Sequence, residues 1–329
     1  MRSLQQGIVS CIGNTPLVRL TRVIRPDIGL YAKFEGANPG GSIKDRPALQ
    51  IILDGIACGR INEQTVVVEA TSGNMGLGLA QICCYLGLQF VCVTDSNITR
   101  QHLRLLEVYG ARIEVVTEPD MTTGDLLQAK IDRARALSGS IPNAFWANQY
   151  ANLSNARAHL RTMAEIFAAL NGVVDYVFCA ASSCGTIRGC ADYIRQQGLD
   201  RTRIYVADSP GSVIFGGQHG PRLIPGHGAG RRPELYEERL VTRAIPVTDM
   251  ECVAGCRELL SKEALLVGGS SGAVVAAVGK VADEIESDAT CVMLLPDRGE
   301  RYLDTVFSDT WVREKLESSA TYLPERNFA

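Results

Sequence analysis

Four short stretches of this 329-residue chain bring together residue types that could do chemistry. The first is Asn38-Pro39-Gly40-Gly41-Ser42-Ile43-Lys44-Asp45-Arg46-Pro47, where one of the chain's few lysines follows a glycine turn. Pro39, Gly40 and Gly41 mark that turn. Ile43, Leu49, Ile51, Ile52, Leu53 and Ile56 then recur at helical spacing. A lysine at the amino end of a helix stands in partial positive charge. That field lowers the cost of losing its proton, and a neutral amine is the form that makes a Schiff base. A solvated surface lysine after a turn fits the same residues. A nucleotide P-loop does not, because Gly-Lys-Ser/Thr is absent.

The other stretches join strands to helices. Thr71-Ser72-Gly73-Asn74-Met75-Gly76 offers backbone N–H groups and small hydroxyls at a helix amino end, which suits an anion. An ordinary turn with a polar cap fits equally. Ala181-Ser182-Ser183-Cys184-Gly185-Thr186 is built of small residues that let backbone amides approach a phosphate. Gly268-Gly269-Ser270-Ser271-Gly272-Ala273 opens a further helix, and Ser270 could be its N-cap. Gln149 and Tyr150 in Trp146-Ala147-Asn148-Gln149-Tyr150 read as interdomain packing. The connection 209–232 is long and glycine-rich, a pattern of lids and mobile segments. Its Gly226-His227-Gly228-Ala229-Gly230 is no dinucleotide fingerprint, since no strand directly precedes it. Arg231 and Arg232 after it suit phosphate or carboxylate as well as a solvated surface.

The elements that position these loops alternate. Strands are expected at 30–35, 65–70, 90–94, 113–116, 173–179, 203–207 and 290–295. Helices are expected at 77–86, 100–109, 123–137, 154–170 (capped by Ser154 or Asn155), 250–262 (capped by Thr248 or Asp249) and from the end of the 181–186 stretch to 196. This alternation predicts an α/β fold with parallel sheets covered on both faces. A Gly/Ser/Pro linker at 138–143 places a domain crossing nearby.

Net charge of −3 and a pI of about 5.9 give no basic face for nucleic acid or an anionic membrane. No apolar run reaches the roughly 20 residues of a membrane span, and residues 1–10 lack a signal-peptide core. A soluble cytoplasmic protein is expected. The 11 cysteines include no Cys-x-x-Cys pair and read as buried reduced thiols. Four scattered histidines give no metal-ligand spacing.

Asn-Pro-Gly-Gly-Ser-Ile-Lys-Asp-Arg resembles the cofactor-lysine motif of the cysteine synthase/cystathionine β-synthase family, pyridoxal-phosphate enzymes of fold type II. Residues 12–20 resemble that family's opening segment. The resemblance implies two α/β domains with the active site in the cleft between them. The smaller would span 36–150, and the larger 1–35 plus 151–329. It implies pyridoxal 5′-phosphate as cofactor and Lys44 as the Schiff-base residue, with neighbours that depress its pKa. Asn74 would bond the cofactor's phenolic oxygen, and Ser270 its pyridine nitrogen. The loop Ser182, Ser183, Cys184, Gly185 and Thr186 would cradle its phosphate. Thr71, Ser72, Gly73 and Gln149 would hold the substrate carboxylate. A homodimer is also implied, and no metal.

Several residues depart from the cysteine synthase pattern. Met75 stands where a Thr is usual, Tyr150 where a Phe is usual, and Ser182 and Cys184 replace glycines. Arg231 and Arg232 replace apolar residues. Tyr150, Ser182 and Arg231 add polar donors near the expected substrate site. With residues 211–216 and 295–304 they look closest to one branch, the N-(2-amino-2-carboxyethyl)-L-glutamate synthases. That branch joins L-glutamate to O-phospho-L-serine through an aminoacrylate intermediate, toward 2,3-diaminopropionate for siderophores. The alternatives are a cysteine synthase using sulfide and a non-catalytic phosphate- or nucleotide-binding protein.

Overall fold

The computed structural model describes residue 4 and residues 6–121, 124 and 126–317. Among these, strands form two sheets. The larger sheet contains β1 (Leu17–Leu20), β2 (Gly29–Phe34), and four strands that occur later in the chain. The smaller contains β3 (Val66–Ala70), β4 (Gln89–Asp95), β5 (Arg112–Val116) and β6 (Ala144–Trp146), in the order β5-β4-β3-β6. The later strands of the larger sheet are β7 (Tyr176–Ala180), β8 (Arg203–Asp208), β9 (Arg243–Pro246) and β10 (Thr290–Leu295), giving the order β1-β2-β10-β7-β8-β9. Every pairing is parallel except β1 with β2.

Eight helices position the loops: α1 (Asp45–Ala57), α2 (Asn74–Leu86), α3 (Arg100–Val108), α4 (Leu126–Ser140), α5 (Leu153–Ala169), α6 (Gly185–Gln197), α7 (Asp249–Glu263) and α8 (Gly269–Val281). The valine run of β3 follows from burial on both faces. Val67 packs into one apolar cluster and Val68 into another, as a pleat of period two requires. In β10, Cys291, Met293 and Leu295 face α7 and α8, while Val292 and Leu294 face the opposite cluster. Helices α7 and α8 touch through glycine. A Cβ on Gly272 would lie 2.0 Å from the Cys252 carbonyl oxygen, so no other residue fits there.

Local boundaries depart from the sequence reading in explicable ways. Helix α5 is capped by Asn152, whose side chain accepts from the Ser154 amide, rather than by Ser154 or Asn155. Thr248 caps α7 in a reciprocal capping box with Glu251. Helix α4 runs to Ser140 and consumes part of the expected linker. The expected start of that helix at Thr123 lies outside the described residues. Strands β6 and β9 are three and four residues long, too short to show an alternating pattern. Cys11, Cys58 and Cys84 are exposed and the other eight cysteines are buried; none forms a disulfide. No helix among the described residues is long and apolar enough to cross a membrane.

Candidate active site

The carboxyl ends of β3, β4, β7 and β10 open onto one cavity of about 680 Å³. This is where ligands bind in parallel α/β sheets. Two of the four chemistry-bearing stretches, 71–76 after β3 and 181–186 after β7, follow directly from this topology. Lys44, Gly73 and Cys184 are the N-caps of α1, α2 and α6, and Gly268 is that of α8. None of the four donates or accepts a side-chain cap bond. The uncapped ends carry orphan N–H groups and partial positive charge, and together they favour anionic groups in the cavity.

Lys44 lines the cavity, with Nζ 3.4 Å from the Ser183 hydroxyl oxygen. Burial of its amine lowers its pKa from 10.5 to about 8. The neighbours act in the opposite direction to that expected from the sequence: Cys184 and Glu69 both favour the ammonium. Desolvation alone therefore supplies the depression. Ser183 also accepts from the Asn155 amide at 3.2 Å.

The 71–75 loop is braced from beneath. The Gly73 amide donates to the Thr71 hydroxyl at 3.2 Å. Ser72 Oγ accepts from Lys130 Nζ at 2.8 Å and from the Thr94 hydroxyl at 3.1 Å. Lys130 is buried, lines the cavity and pairs with Asp95. A Cβ on Gly73 would project into open space, so glycine keeps that wall clear. Asn74 donates from Nδ2 to Asp297 Oδ2 at 2.7 Å, and its Oδ1 accepts from Arg301 and, at 3.2 Å, from His102. Burial and Arg301 push His102 down to about 3, which keeps its ring neutral.

Gln149 donates from Nε2 to Glu69 Oε1 at 3.0 Å. Glu69 is fully buried, and burial raises its pKa to about 8. Tyr150, Ser182, Ser183, Cys184, Gly185, Thr186 and Ser270 all line the same cavity. Cys184 takes φ of 61°, a left-handed conformation where glycine would be unstrained. At Gly185 a Cβ would meet Asn155 Oδ1 at 2.1 Å, so any side chain there displaces the buried Asn155 amide. Ser270 lies two residues inside α8, whose N-cap is Gly268. Its hydroxyl is therefore not a cap.

Arg231 departs from expectation. It is not among the cavity-lining residues; Nη1 donates to Gln128 at 2.8 Å and Nη2 faces Glu234 at 3.9 Å. Arg222 lines the cavity instead, donating to the carbonyls of Gly211 and Gly220. The sequence reading assigned no role to Glu69, Lys130, Arg222 or Asp297. Glu69 and Asp297 stand at the carboxyl ends of β3 and β10, a position that marks them once the strands are assigned. Nothing in the sequence pattern of α4 singles out Lys130.

A family model described as pyridoxal-phosphate dependent enzyme matches residues 8–297. The chain is similar to a solved O-acetyl serine sulfhydrylase, isoform 3, from Entamoeba histolytica. They share 32% identity and a TM-score of 0.83, over 91% of this chain and 90% of that one. A hydrogen sulfide-producing enzyme from Fusobacterium nucleatum shares 31% identity and a TM-score of 0.84, over 91% and 99%. An O-ureido-L-serine synthase shares 27% identity and a TM-score of 0.85, over 95% and 96%.

Proposed function

Because the chain belongs to the pyridoxal-phosphate dependent enzyme family, we propose that it replaces the phosphate of O-phospho-L-serine with the amine of L-glutamate, forming N-(2-amino-2-carboxyethyl)-L-glutamate. The C–O bond at the β-carbon breaks, phosphate leaves with the electron pair, and a C–N bond forms as the amine gives up a proton. The observation that carries this reading is the charge and polarity of the cavity wall. Besides Lys44, it is lined by Arg222, by Tyr150 and Ser182, and by Lys130, which is ion-paired with Asp95 in the same wall. A sulfide nucleophile needs few such donors, whereas a phosphate leaving group and a dicarboxylate amine need several.

The residues fit the family's cofactor, pyridoxal 5′-phosphate. The amino end of α6 is uncapped, Gly73 leaves its wall open, and the Lys44 amine is already shifted toward neutrality. When bound, the cofactor supplies an electron sink for bond breaking at the substrate α-carbon. Lys44 would hold its aldehyde carbon, and Ser182, Ser183, Cys184, Gly185 and Thr186 its phosphate. Asn74 would donate to its phenolic oxygen. Ser270 would bond its pyridine nitrogen, and a neutral hydroxyl does not hold a proton there as a carboxylate would.

The remaining steps belong to the chain. Thr71, Ser72, Gly73 and Gln149 orient the substrate carboxylate. Lys44 Nζ takes the α-proton, and a pKa of about 8 makes it an effective base near neutral pH. Lys130, ion-paired with Asp95, donates to Ser72 and holds the 71–73 loop in place for the substrate carboxylate. Residues 36–150 and 1–35 plus 151–329 act as the two units flanking the cleft. We place the enzyme in the cytoplasm as a homodimer whose product feeds 2,3-diaminopropionate synthesis for siderophores.

A cysteine synthase activity is the second reading, favoured by the 32% identity to the Entamoeba histolytica sulfhydrylase. Mass spectrometry after incubation with O-phospho-L-serine, L-glutamate and sulfide together separates the two. The glutamate adduct with phosphate release is expected; cysteine as the main product overturns the proposal.

A further inference from the structure

Asp297 is almost wholly buried at the carboxyl end of β10 and touches three pieces of the active site at once. Its Oδ2 accepts from Asn74 Nδ2 at 2.7 Å and from the Tyr302 hydroxyl at 2.5 Å. Residue 297 forms a backbone bridge with Ser42 in the lysine loop, and its carbonyl accepts from the Gly268 amide at 3.3 Å. Oδ1 has no hydrogen-bond partner and lies against Gly268, where a Cβ would meet it at 2.2 Å. A buried carboxyl with one orphan oxygen is costly, so its presence asks for a reason beyond packing.

The reason lies in the Asn74 carboxamide. A carboxylate only accepts and a guanidinium only donates. Asp297 on one side and Arg301 on the other therefore permit a single orientation of that amide, with Nδ2 toward Asp297 and Oδ1 toward Arg301 and His102. One Nδ2 hydrogen is committed to Asp297. The same amide also reaches the Tyr302 hydroxyl, and Asn74 lines the cavity.

We infer that Asp297 is a positioning residue that fixes the Asn74 amide so that one N–H is presented to the cofactor's ring oxygen. The inference rests on the cofactor placement proposed above. Asn74 belongs to the smaller sheet's α2 and Asp297 to the larger sheet's β10, so this bond also joins the two walls of the cavity.

The test is a double-mutant cycle on the purified holoenzyme. It reads the dissociation constant of pyridoxal 5′-phosphate and the position of its visible absorbance band. Asp297→Leu should weaken cofactor binding about tenfold and shift the band in the Asn74 background. In an Asn74→Ala background it should change either readout less than about twofold, because coupled groups are non-additive. Asp297→Asn, whose amide oxygen still accepts from Asn74, should restore both readouts to near wild type. Equal losses in the two backgrounds, or no rescue by asparagine, would overturn the inference.

If Asp297→Leu does not fold, a crystal structure of the wild-type holoenzyme decides. Asn74 Nδ2 should lie within hydrogen-bond distance of both Asp297 and the cofactor's ring oxygen, and an Asn74–Asp297 separation beyond 3.5 Å rejects the role. A wild-type protein that stays colourless with the cofactor overturns the cofactor placement as well. A coloured wild type with additive losses overturns the role of Asp297 alone.

Discussion

Arg46 grips Glu165 with two prongs, Nη1 to Oε1 at 2.8 Å and Nη2 to Oε2 at 2.7 Å. Arg46 stands two residues after Lys44 on α1, and Glu165 stands on α5. The same guanidinium donates to Glu35 at 2.6 Å, and Lys33 reaches Glu165 at 2.7 Å. The helix that carries the proposed catalytic amine is thus anchored by an ionic network of buried Lys33, Glu35 and Arg46 and partly buried Glu165.

That network makes stability acid-sensitive. Burial works to raise the Glu165 pKa, but hydrogen bonds from Arg46 and Lys33 outweigh it and hold the group at about 2. A depressed carboxyl contributes stability above its unfolded value of 4.5, and the contribution is lost as pH falls toward 2. Glu165→Gln should cost about 3 kcal/mol at pH 7 and flatten the acid limb. Urea midpoints from pH 2 to 7 check this; an unchanged acid slope contradicts it.

Lys44 acts on the alkaline side. Below pH 8 the folded state buries an ammonium. Between 8 and 10.5 the folded amine is neutral while the unfolded one keeps its proton. Without cofactor, the stability of wild type relative to Lys44→Met should therefore climb across that window by about 3 kcal/mol. The comparison is with the variant because eight buried thiols, whose pKa values burial raises, lower the stability of both proteins above pH 9. Lys44→Met should be more stable than wild type at pH 7. A difference curve without the climb would show that the amine is not desolvated.

Met75 stands where cysteine synthases carry threonine, yet it is 2% exposed and packs into the apolar cluster on one face of the smaller sheet. Met75→Thr should lower stability by about 2 kcal/mol, read as a denaturant midpoint. An unchanged midpoint would mean that the site accepts the hydroxyl freely.

Substrate constants separate Arg231 from Tyr150. Arg231 bonds Gln128 and stands apart from the cavity lining. Arg231→Ala should leave both KM values within about twofold, since a solvent-facing pair contributes little. A tenfold rise would return Arg231 to the site. Tyr150→Phe should slow adduct formation with glutamate more than phosphate release from phosphoserine. Equal losses in the two half-reactions would remove Tyr150 from glutamate recognition.

The α/β class, the lysine loop, the Thr71 to Asn74 loop and the Ser182 to Thr186 loop were legible in the order of residues alone. Each is a local pattern: a strand, a run of small residues and a helix, read within about ten positions. What joins residues far apart along the chain came from the folded arrangement. It moved Arg231 out of the cavity lining and brought in Lys130 from α4 and Arg222 from the long connection. It showed that burial, opposed by Glu69 and Cys184, shifts Lys44. It paired Asn74 with Asp297 across 223 positions. Spacing reports which face of one element a residue occupies, whereas desolvation and hydrogen-bond partners come from elements that meet only in the folded chain.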